Sequence, residues 1–86
     1  MNLKTKTEDS RSPRGARADA ETPEAIYLIK HVSSLRATYQ IRLLALKAAE
    51  SGKILVLMAP RTCRFDPSLE ALVMAMSGRI RREDLP

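Results

Sequence analysis

The sequence predicts an α+β fold, a long N-terminal α-helix followed by a small β-α-β unit, and three stretches predict it. The first runs from Thr22 to Gly52, with no Gly or Pro between Pro23 and Gly52. At about 100° per residue, Leu28, Val32, Leu35, Tyr39, Leu43 and Leu46 fall within an arc of about 80°, one face of a helix. The second is Lys53-Ile54-Leu55-Val56-Leu57-Met58-Ala59, short, continuous, apolar and closed by Pro60, as suits a central strand buried on both faces. The third begins at Asp66-Pro67, a cap and a first-turn proline, and ends near Gly78.

The ends of the long helix carry their own signals. Thr22 is an N-cap candidate, Pro23 fits the first helical position, Glu24 lies where the helix dipole favours a carboxylate, and Gly52 can close the C-terminus. Arg42 interrupts the heptad seam, so a regular coiled coil is not expected. A competing reading makes Ala25-Ile26-Tyr27-Leu28-Ile29 a buried strand and lets Ser33-Ser34 cap a helix starting at Leu35. That alternative is a three-stranded parallel β-α-β-α-β domain. The apolar stripes before and after the serines share one helical phase, which favours the single helix.

In the second helix, Leu69, Leu72, Val73 and Met76 form the apolar stripe. Arg79-Ile80-Arg81-Arg82 then alternates as a last strand, and a right-handed crossover would lay it parallel to the first. Two parallel strands alone leave a sheet short of neighbours. Either residues 25 to 32 supply a third strand, or another chain does, or the long helix covers one face and the other is an interaction surface.

Residues 1–21 hold one large aliphatic, Leu3, among Lys, Thr, Ser, Arg, Asp and Ala, too little to offset the entropy of ordering. They read as a disordered polar tail, with 22–86 as a single small domain. The basic Ser/Pro/Gly stretch from Ser10 to Arg17 reads as a solubilising tail, its charges cancelled nearby.

Charge divides unevenly. Through Glu24 five basic residues balance five acidic ones, whereas Ala25 to Pro86 holds ten Lys and Arg against five Asp and Glu, the whole net +5. Arg79, Arg81 and Arg82, with Arg61 and Arg64, are therefore candidate contacts for a nucleic acid or another anion. Few aromatics accompany them, since Tyr27, Tyr39 and Phe65 are the three in the chain, so base stacking is not expected.

Enzymatic chemistry finds little support. Cys63 is flanked by Arg61 and Arg64, which would lower a thiol pKa, but the single histidine, His31, is not tied to it by any motif. The Arg61–Pro67 loop joins a strand to a helix start, yet Asp66 and Pro67 occupy the amides a phosphate needs and no glycine permits close approach. One cysteine and one histidine exclude a zinc set and an internal disulfide, so neither metal nor cofactor is expected.

The expected function is that of a small non-enzymatic accessory or adaptor protein of the cytoplasm, acting by protein–protein association with a partner or with a second copy. Ile26, Ile41 and Leu44 lie off the main helical face and are its candidate contacts. The alternative is a nucleic-acid-associated regulator using the basic C-terminal end. No membrane span is expected, because the longest apolar run, Ile54 to Ala59, is far below the roughly 20 residues a spanning helix needs.

Overall fold

A computed structural model describes residues 17–86. In chain order the elements are β1 (Ala20–Glu21), β2 (Ala25–Ile29), β3 (Ser34–Leu35), α1 (Tyr39–Ser51), β4 (Ile54–Pro60), β5 (Arg64–Phe65), α2 (Pro67–Ala75) and β6 (Ile80–Leu85). The main sheet has the order β1-β2-β4-β6, with β3 and β5 forming a separate parallel pair. Strands β2, β4 and β6 are parallel, and β1 folds back antiparallel on β2. The result is a small α+β domain with a mixed sheet.

The helix expected from Thr22 to Gly52 does not form as such. Within its first third, Ala25–Ile29 is strand β2, which supplies the missing parallel neighbour of β4, and helix begins only at Tyr39. Ser33-Ser34 does not cap it either: Ser34–Leu35 is strand β3, and the N-cap is Thr38, whose side chain accepts from the Ile41 N–H. The local chemistry at Thr22 is real but serves another turn. Its hydroxyl accepts from the N–H groups of Glu24 (3.2 Å) and Ala25 (3.0 Å), bracing the tight β1-β2 connection rather than a helix start. That hairpin puts Ala20 and Glu21, expected in the polar tail, on the edge of the sheet; residues 1–16 of that tail lie outside the described residues.

The stripe that suggested one long helix does not share one environment: Leu28 and Leu35 are buried in the core. Val32 and Tyr39 are exposed and so is Leu46, whereas α1 buries Ile41, Leu44, Ala45 and Ala48. Two alanines on that face let the helix lie close to the sheet, and alanines carry little weight in an apolar stripe counted from large residues. Gly52 does close α1, in the left-handed conformation (φ 70°) with its N–H directed to the Ala48 and Ala49 carbonyls.

Later elements follow their sequence signals. Strand β4 is central, paired with β2 on one side and β6 on the other. Asp66 caps α2, accepting from Ser68 N–H at 2.9 Å, with Pro67 in the first turn. This bond, with Arg36 nearby, holds the Asp66 carboxyl below the usual aspartate value.

Strand registry sorts side chains into two faces. Ile26, Leu55 and Ile80 stand in one row and Leu28, Leu57 and Arg82 in the next. These aliphatics join Ile41, Leu44, Ala45 and Ala48 of α1 and Leu69 of α2 in one core. Both helices thus cover the same face, as two right-handed crossovers in the same direction require.

Candidate functional site

The other face of the sheet carries Ala25 and Ile54 in one row, Tyr27, Val56 and Arg81 in the next, and Ile29, Met58 and Glu83 in the third. Its buried members, Ala25 and Val56, stand apart from the core that the helices share. Tyr27, Ile54 and Met58 are half-buried and Ile29 is exposed. None of the described helices lies across this face. Parallel strands are ordinarily covered on both sides; among the described residues, helices cover one side of this sheet.

The strip is bordered by balanced charge. On β6, the Arg81 guanidinium donates to Glu83 at 2.9 Å, so this border is neutral overall. On the far side, Asp19 accepts from the Ile29 N–H at 2.7 Å and pins the end of β2. On the helix-covered side of the same edge, Glu21, in register with Ile26, pairs with Lys53 and with Lys47 of α1, and the hydrogen bond from Lys53 holds the Glu21 carboxyl below its usual value.

The expected contacts Ile26, Ile41 and Leu44 lie elsewhere. All three are fully buried in the core on the helix-covered face, so their apolar character is accounted for by this chain's own packing. The basic residues do not form one patch. Arg81 and Arg82 are successive in a strand and point to opposite faces. Arg82 turns inward: it donates to the carbonyls of Pro60 (2.9 Å) and Arg61 (3.2 Å), lies 3.4 Å from the Asp84 carboxylate, and stacks over Phe65 at 4.7 Å. Arg79 reaches back to the Lys53 carbonyl at 3.5 Å. Arg61 and Arg64 are exposed, and among the described residues neither has an ion-pair partner.

At the carboxyl ends of the parallel strands, where α/β sheets commonly receive ligands, an open cleft of about 490 Å³ is lined by His31, Arg61, Thr62, Asp84 and Leu85. Its charges oppose one another. Cys63 does not line it: the thiol is buried, with Sγ 3.8 Å from the Arg64 carbonyl oxygen. Among the described residues no group of three His, Cys, Asp or Glu side chains is placed to hold a metal ion. Nor is any described helix long and apolar enough to cross a membrane.

Comparison with protein-family models, with curated proteins and with solved structures finds no match to this chain.

Sequence reasoning missed Tyr27, Ile29, Ile54 and Met58 as a surface. The signal was present in the apolar run of β4, which has no polar face. It becomes readable only when residues 25–29 are taken as a strand, because two successive β-α-β crossovers then send both helices to one side.

Proposed function

We propose that this chain is a small non-enzymatic accessory protein that works by association, and that its open sheet face receives an amphipathic helix of a partner protein. The observation that carries the reading is the parallel sheet with both described helices on one face. Three rows on β2 and β4 span about 13 Å along the strands and one strand spacing of about 5 Å across. That footprint suits a single helix, about 10 Å in diameter, laid along the strip. A neutral border of Arg81 and Glu83 favours an apolar partner face with mixed charges at its margin over a polyanion.

The test compares wild type with Ile29→Glu and Met58→Glu in affinity purification from the native host after mild crosslinking. The reading expects a partner recovered in stoichiometric amount with wild type, lost with both variants while their thermal melts stay cooperative, and contacting the chain through a helix. Equal recovery with all three proteins, or no stoichiometric partner with wild type, overturns it.

A further inference from the structure

Strand β6 has a free side: it pairs with β4 and no described strand lies beyond it. The Leu55 N–H donates to the Arg79 carbonyl at 2.7 Å, which sets the odd-numbered residues of this strand against β4. Ile80, Arg82 and Asp84 therefore turn their backbone N–H and C=O groups outward. Long edges of this kind invite pairing unless something blunts them. Here the exposed strand reads Ile-Arg-Arg-Glu-Asp-Leu, its two signs of charge in equal number.

Beside that edge, on the helix side of the sheet, Phe65, Val73 and Met74 line a groove of about 420 Å³ with Glu70 and Arg82 at its margin. Met74 is 81% exposed, the most exposed large apolar side chain among the described residues. The groove and the free strand adjoin, and each lacks a counterpart of the kind the other offers: backbone to pair and an apolar side chain to seat.

We infer that a second copy of this chain adds to the sheet through β6, antiparallel across a two-fold axis normal to the sheet, with Met74 of each copy seated in the groove of the other. Charge selects both the occupant and the register. A two-fold of this kind sets one residue opposite its own counterpart. Centring on Arg81 or on Glu83 would bring like charges together at the narrow, non-hydrogen-bonded positions, which is destabilising. Centring on Arg82 instead places Arg81 opposite Glu83 of the copy, twice, at those narrow positions. The outward-facing Ile80, Arg82 and Asp84 then become the hydrogen-bonded ones. Arg82 meets its counterpart at a wide position, and its guanidinium is already drawn inward to the Pro60 and Arg61 carbonyls and the Phe65 ring. Both grooves fall on the same side of the joined sheet, facing each other across the axis. The open faces fall together on the opposite side, as one continuous surface.

The experiment is the molar mass of the full chain by light scattering at about 100 µM, a concentration at which association shows by mass action. Wild type is expected at twice 9.6 kDa. Glu83→Arg, which sets arginine against Arg81, is expected to raise the dissociation constant at least about tenfold, and Arg81→Glu combined with Glu83→Arg to restore it. Met74→Glu, a change at an exposed position, is expected to give a folded monomer. A monomeric wild type overturns the inference, as does a dimer indifferent to Glu83→Arg and Met74→Glu, or one that the double charge exchange fails to restore. Ile29→Glu and Met58→Glu should leave the dimer mass unchanged, so loss of the helix-docking reading and loss of the dimer are separate outcomes.

Discussion

The two faces of one sheet divide the work of this chain. On the covered face, Ile26, Leu28, Leu55, Leu57 and Ile80 meet two helices, and nearly all of the large buried side chains lie there. On the open face the same three strands present Tyr27, Ile29, Ile54 and Met58, with Arg81 and Glu83 at the border. Both sets come from alternate positions of the same segments, so their composition differs little. What separates them is the direction of two crossovers. Stability accrues where the helices land, and the opposite side is the one the proposed partner helix would cover.

The sharpest way to break that division is to cut into the covered face. Leu57→Ala removes a fully buried side chain from the central strand and is expected to cost about 2–5 kcal/mol in chemical denaturation. A loss below about 1 kcal/mol would mean that the core is not where the helices meet the sheet. Ile26→Glu and Leu44→Glu, natural tests of an interaction surface when only the sequence is read, would instead bury a charge and unfold the domain. Next in size, Asp66→Ala removes the cap that starts α2 over the covered face and should cost about 1 kcal/mol.

On the open face, Met58→Gln is expected to change stability by less than about 1 kcal/mol, since its side chain is half-buried and lies on the face away from the described helices. A larger loss would show that something within the chain covers it. The smallest expected effect is with acid. Glu21 and Asp66 have carboxyls held below their ordinary values of 4.5 and 3.8 in the folded state. Their contribution is full above those values and is lost as the pH falls through the lower, folded-state ones. Denaturation midpoints should therefore be flat above about pH 5 and fall below it, and Glu21→Gln and Asp66→Asn together should flatten the acid limb.

Much of the second half of the fold was legible from residues alone: the apolar run of β4, the Asp66-Pro67 start of α2, the Gly52 terminus and the parallel return of β6. Those signals are local, and nothing competes with them. The first half was misread because its local signals have two uses. A threonine that accepts from N–H groups two and three residues ahead braces a turn as readily as it caps a helix. Ala25–Ile29 is short enough to suit either period, and its apolar phase matched that of α1 by coincidence. The alanines that bury α1 were outweighed by larger residues that point to solvent. The open face was hidden for the same reason, since a face exists only once the strand next to β4 is known.

Because β4 is the shared rail of two successive β-α-β units, neither unit is a separable half. Each crossover must close over its own helix before β4 gains either neighbour, so little of the sheet's stability is available to a partly folded chain. Folding should consequently be a single cooperative event, with the amides of β4 the last to exchange and those of the β1 hairpin the first. A chain caught between the two closures would show the apolar side of β4 with one flank unpaired. Until both closures are made, β4 would therefore offer a bare flank to the wrong strand.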